Sequence, residues 1–105
     1  MGDAPPEIML IVRGLKSKLP REEFERRYKE RLPQFREVKG LVQKYYSYDE
    51  STGEWAGIYL WDGEESLSSY LESELRKSIA TAYELTEPPR LERFPIVDVL
   101  RTRPC

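Results

Sequence analysis

The stretch LVQKYYSYDESTGEWAGIYLW, residues 41–61, decides the fold. Its two halves, "LVQKYYSYD" (Leu41 to Asp49) and "EWAGIYLWD" (Glu54 to Asp62), are rich in aromatic and β-branched residues, which suit a pleated sheet. Between them "ESTG" is short, polar and closed by Gly53, as a hairpin turn requires. Two antiparallel strands follow. Adjacent strand residues point to opposite faces, so Gln43 and Tyr45 share one side and Lys44 and Tyr46 the other. A polar pair inside an aromatic strand costs free energy unless each member is satisfied, which marks Gln43-Lys44-Tyr45-Tyr46 as the wall of a pocket.

Upstream, "EIMLIVRG" (7–14) reads as a first strand, and "LPREEFERRYKERLPQFREVKG" (19–40) as a helix. Pro20 is placed as a first-turn residue, and Glu22 and Glu23 favour the positive helix start. Phe24, Tyr28, Leu32 and Phe35 form its apolar stripe, Pro33 is expected to break or kink it, and Gly40 closes it. The Arg and Glu face of that helix reads as a solvated one. Downstream, Asp62 and Glu65 resemble a capping box ahead of Leu67, Tyr70, Leu71, Leu75, Ile79 and Tyr83, predicting a second helical region from about Gly63 to Tyr83, in one or two pieces. After "TEPPR", the run "LERFPIVDVLR" (91–101) supplies a fourth strand, with Pro95 pointing to an edge or a bulge.

The order βαββαβ is an α+β, ferredoxin-like arrangement with a four-stranded antiparallel sheet and helices on one face. One domain spans residues 1–105, with a core from about 7 to 101. The strands, however, are apolar at odd and even positions alike, a pattern of burial on both faces. The economical cover for the second face is the sheet of a second copy, so a homodimer through sheet faces is expected.

Composition excludes several classes. Charged residues make up 34% of the 105 but balance to a net −2, so neither nucleic acid nor an anionic membrane is a favoured partner. The longest apolar run, Ile8 to Val12, is too short to cross a bilayer, and Met1 to Pro6 lacks the features of a signal peptide, so the expected location is cytoplasmic. With no histidine and a single cysteine, Cys105, a disulfide framework, a His-ligated zinc or haem, and a Ser-His-Asp triad are excluded within one chain, and no metal or cofactor is expected. The absence of asparagine beside abundant Arg and Glu matches the bias of heat-adapted proteins.

Together "LVQKYY", "ESTGEWAGIYLW", "SLSSYLESELRKSI" and "RFPIVDVL" resemble the YdhR-like monooxygenase family of the dimeric α+β barrel superfamily, over about Glu7 to Arg101. The resemblance implies a homodimer whose two sheets form a barrel, and a helix-sheet cavity in each subunit. Relatives that act in antibiotic biosynthesis oxidise polycyclic phenols and anthrones with molecular oxygen and no cofactor, using a pocket Asn, a Trp and nearby Tyr or Arg residues. This chain has no Asn to place there, and no His for the related haem-degrading chemistry.

Cofactor-free oxygenation needs an acidic, electron-rich substrate, a base or hydrogen-bonding group for its anion, and a dry pocket. Lys44 can stabilise a phenolate or act as base, Tyr46 can orient a hydroxyl, and Arg76 can reach an oxyanion; each also has a structural reading, as snorkelling lysine, wall residue and surface ion pair. Gln43, Tyr45, Tyr59, Trp61 and Tyr83 are candidates for contact with a small aromatic ligand, although core packing is the simpler reading of Tyr59, Trp61 and Tyr83. Asp98, in an apolar strand, is expected to form an ion pair across the dimer. The alternatives to a monooxygenase are a non-catalytic module binding a hydrophobic ligand in the same cavity and, less favoured because the third strand lacks a basic start, an RNA-binding module.

Overall fold

The computed structural model describes residues 5–101; Cys105 and the first residues of the Met1 to Pro6 stretch lie outside that range. The chain runs β1 (Ile8–Leu15), α1 (Arg21–Arg36), β2 (Leu41–Asp49), β3 (Glu54–Trp61), α2 (Glu64–Leu71), α3 (Glu74–Lys77), α4 (Ile79–Ala82) and β4 (Arg90–Pro95). The four strands form one antiparallel sheet in the order β2-β3-β1-β4, the ferredoxin-like topology.

Strand register sorts the side chains into two sets. Ile8, Leu10 and Val12 of β1 pair with Trp61, Tyr59 and Gly57 of β3, and these face the helices. They join Phe24 and Phe35 of α1, Leu67 and Tyr70 of α2, and Ile79 and Tyr83 in a single core. Met9 and Ile11 pair with Leu60 and Ile58, with Phe94 beside Met9 and Tyr45 beside Ile58, on the face away from the helices. Tyr45 and Phe94 are exposed there and the four aliphatic residues only half-buried. Both faces are therefore apolar, but among the described residues only one is covered.

Several expectations are corrected. Pro33 does not break α1, which continues to Arg36; the ring lies in the last turn, and the carbonyl it deprives of a partner is that of Lys29, four residues earlier. Pro20 is the extended residue before the helix rather than its first turn. Asp62 does not cap α2; the cap position is Gly63, in extended backbone, and the backbone N–H of Asp62 instead donates to the Gly40 carbonyl. Gly40 itself has φ +84°, and a Cβ there would overlap the side chain of Ser66, so only glycine fits this corner.

The second helical region falls into three pieces. Ser73 caps α3 by accepting from the Arg76 N–H, and Ser78, whose hydroxyl donates to the Leu75 carbonyl, separates α3 from α4. Such hydroxyl-to-backbone bonds compete with helix continuation. β4 is an edge strand, as Pro95 suggested, but it ends at that proline. Ile96 to Leu100 leave the sheet, with Val97 and Leu100 almost fully exposed, and Asp98 accepts from the adjacent Val99 N–H instead of standing in a strand. The Arg and Glu face of α1 is solvated as expected, carrying Arg26–Glu23, Arg26–Glu30 and Arg27–Glu23 pairs.

Candidate active site

β2 presents Lys44, Tyr46 and Tyr48 to the helices and turns Gln43, Tyr45 and Ser47 outward. Lys44 lies opposite Tyr59, and Tyr46 opposite Gly57. The missing side chain at Gly57 leaves room there, since a Cβ would stand 3.0 Å from the Tyr59 ring. Behind Tyr46 an inner void of about 20 Å³ is bounded by Val12, Phe24, Trp55, Ile79 and Tyr83 among others. In front of it, between α1 and β2, opens a cleft of about 500 Å³ flanked by Tyr28, Leu32, Phe35, Leu41 and Gln43. Lys44 and Tyr46 line both spaces. No carboxylate lines either.

The Lys44 ammonium sits in a cage of aromatic faces, 3.4 Å from the Phe35 centroid, 4.4 Å from Tyr46 and 4.6 Å from Tyr59. Ring quadrupoles attract a cation at this range but replace only part of its hydration. Burial, reinforced by the nearby charge of Arg31, lowers its pKa to about 7. An amine so poised exchanges a proton near neutrality.

Around it lies a set of hydroxyls and one guanidinium. Tyr28 stacks on Tyr46 with centroids 4.2 Å apart, and the Tyr70 hydroxyl donates to that of Tyr59 at 3.3 Å. Arg31 reaches from α1 to Ser78, donating to its hydroxyl at 2.8 Å, and lies 5.5 Å from the centroid of Tyr83. Burial pushes the Tyr46 and Tyr83 hydroxyls up, Tyr83 to about 12, although the Arg31 cation and the approach of its N–H groups pull Tyr83 back. That approach falls short of a hydrogen bond. The Tyr46 and Tyr83 hydroxyls and Arg31 Nε are all buried without a partner.

The predicted residues thus separate. Lys44, Tyr46, Tyr59 and Tyr83 meet at the inner void, and Gln43 stands at the cleft with its Oε1 accepting from the Lys44 N–H. Tyr45 is on the opposite face. Trp61 is fully buried, stacked parallel to Tyr59 with centroids 6.2 Å apart, and lines neither space. Arg76 lines neither space either. Arg31 and the cage role of Phe35 escaped the sequence reading, yet the spacing 24-28-31-35 follows a helical stripe as well as 24-28-32-35 does, and would have put an arginine on the buried face. Among the described residues no group of three or more Cys, His, Asp or Glu is placed to hold a metal, and no helix is long and apolar enough to cross a membrane.

The sequence pattern of the family described as "Putative mono-oxygenase ydhR" matches residues 10–87. The chain belongs to the YdhR family. That match spans β1 through the end of the last helix and includes Arg31, Lys44, Tyr46 and Tyr83. No curated protein matches by sequence. Among solved structures the YdhR-family chain is similar to SnoaB from Streptomyces nogalater, a cofactor-independent oxygenase, at 18% identity and TM-score 0.71, covering 90% of this chain and 97% of that one. It is similar also to a "putative antibiotic biosynthesis monooxygenase" from Bordetella bronchiseptica, at 14% identity and TM-score 0.69, covering 87% and 98%. Rv0793 from Mycobacterium tuberculosis, at 14% and 0.70, covers 90% and 98%. These likenesses establish a shared fold.

Proposed function

We propose that this YdhR-family chain is a cofactor-independent monooxygenase acting on a small aromatic or polyketide-like molecule held in the α1–β2 cleft. The observation that carries the reading is Lys44, an amine with pKa about 7, caged by aromatic rings at the boundary of cleft and void and facing no carboxylate. The family description and the activity named for SnoaB support it. The cleft's 500 Å³ lies within the range of small-molecule sites.

Lys44 takes an acidic proton from the substrate, and the resulting carbanion or enolate supplies electrons directly to dioxygen. Oxygen adds at that carbon as a hydroperoxide, which loses water to leave a carbonyl. A CH₂ group and O₂ thus become C=O and H₂O, with every electron drawn from the substrate. Tyr46 orients the substrate oxygen. The chain has no Asn, so the Lys44 amine serves as the base. Oxygen uptake with a panel of phenols and anthrone-like compounds tests the reading. Binding without uptake would make the chain a ligand-binding module instead.

The open sheet face supports a homodimer. Its centre is aliphatic, Met9, Ile11, Ile58 and Leu60, which suits packing against a second sheet. Base stacking needs aromatic residues at such central positions, so the RNA-binding alternative is disfavoured. Val97 and Val99, within the stretch read from sequence as the fourth strand, lie past the end of β4.

A further inference from the structure

We propose that the inner void is an oxyanion site, in which the hydroxyls of Tyr46 and Tyr83, with the Arg31 charge beside Tyr83, receive one phenolate or enolate oxygen of the ligand while its ring remains in the outer cleft. The assignment rests on the monooxygenase reading for the kind of ligand, but not on any reaction with oxygen.

Three features meet at the void. Buried polar atoms in native proteins nearly always have partners, and each exception calls for an explanation. Here two such atoms, the Tyr46 and Tyr83 hydroxyls, belong to residues that line the void, and a third, Arg31 Nε, belongs to a residue outside its lining whose charge, like Tyr83, influences Tyr46. All can donate. Burial holds both tyrosines protonated at neutral pH, and a guanidinium has only donors. What they lack is an acceptor.

Charge points the same way. Arg31 and Lys44 lie close enough for one to lower the other's affinity for a proton, and among the described residues neither forms an ion pair with a carboxylate. A negative oxygen offsets both at once. Size then fixes how much of a ligand enters. A void of about 20 Å³ admits roughly one water-sized group, whereas the 500 Å³ cleft takes rings. Lys44 and Tyr46, lining both, hold the junction where an aromatic carbon bears its oxygen.

The experiment compares 4-nitrophenol with 4-nitroanisole, identical except for a methyl group on the oxygen. In a buffer acidic enough to keep free nitrophenol mostly protonated, the wild-type chain should bind it as the yellow phenolate. Nitroanisole should bind at least about 10-fold more weakly, because its methyl cannot enter the void and its oxygen carries no charge. Tyr46→Phe, Tyr83→Phe and Arg31→Met should each weaken nitrophenol by about 10-fold or more, leaving nitroanisole within about 2-fold. Should Arg31→Met lose the fold with its tie to Ser78, Tyr83→Phe decides, since it deletes one unpartnered oxygen. Equal affinity for the two compounds, bound nitrophenol that stays protonated, no binding of nitrophenol at millimolar concentration, or unchanged affinity in both phenylalanine variants would each overturn the assignment. Phenolate binding without oxygen uptake on any phenol would leave the oxyanion site standing and remove the oxygenase; oxygen uptake with unaltered Tyr46→Phe and Tyr83→Phe would do the reverse.

Discussion

Lys44 is an amine kept where charge is disfavoured, and that has a sign in stability as well as in chemistry. Its folded-state pKa is lowered by burial first and by Arg31 second, from 10.5 to about 7. The unfolded chain therefore binds more protons between about pH 7 and 10, and stability rises with pH through that window. Lys44→Met should be more stable than wild type near pH 6, by about 2 kcal/mol, with the difference shrinking toward pH 10. Urea denaturation at several pH values measures this, and a difference constant with pH would show that the ammonium is not desolvated. The same variant should lose about 100-fold or more in oxygen uptake, and the wild-type rate should climb to a plateau with a midpoint near pH 7. Tyr83→Phe removes a hydroxyl that has no partner, so the fold should be unchanged or stabilised by up to about 1 kcal/mol by thermal melting. Clear destabilisation would mean the hydroxyl has a structural bond.

The irregular elements position these residues. Ser78 interrupts the second helical region, its hydroxyl meets Arg31, and the turn after α4 brings Tyr83 under the sheet. Arg27 makes a parallel tie, donating to the Ala82 carbonyl at 3.0 Å. In α1, Pro33 is exposed and supports no core contact, so its cost in the helix is uncompensated there. Pro33→Ala should stabilise the protein by about 1–3 kcal/mol, the lower end being favoured by its place in the last turn. A lower melting temperature would show that the proline shapes the cleft. Gly40→Ala, at φ +84° and against Ser66, should cost about 2 kcal/mol or more in the same assay.

For the whole molecule the decisive feature is the uncovered sheet face. Tyr45 and Phe94 are roughly half exposed around an aliphatic centre, and an apolar sheet of this kind is a common site of self-association. Sedimentation at micromolar concentration should give twice the chain mass. Ile58→Asp, at the middle of that face, should yield a monomer, because two buried carboxylates would lie near the symmetry axis without partners. A wild-type monomer would remove the dimer reading.

The sequence by itself determined the order of elements, the hairpin at residues 50–53 and the surplus of apolar strand positions. Those follow from local periodicity and turn chemistry, which neighbouring residues decide. It also put Lys44 and Tyr46 on a common face, because alternation along a strand is a matter of geometry. Which face turned inward depended on the register between β2 and β3 and on the packing of α1, and only the tertiary structure decided that Lys44 meets Phe35 while Tyr45 looks away. The role of Arg31 was likewise hidden: on one helix it is a charge among many, and its meaning comes from Ser78 and Tyr83, about fifty residues later in the chain. The ends of α1 and β4 differed for a related reason. Pro33 leaves the Lys29 carbonyl without its helical partner yet α1 continues to Arg36, whereas Pro95 terminates a strand that already has a free edge, so the same residue type obeys the backbone around it.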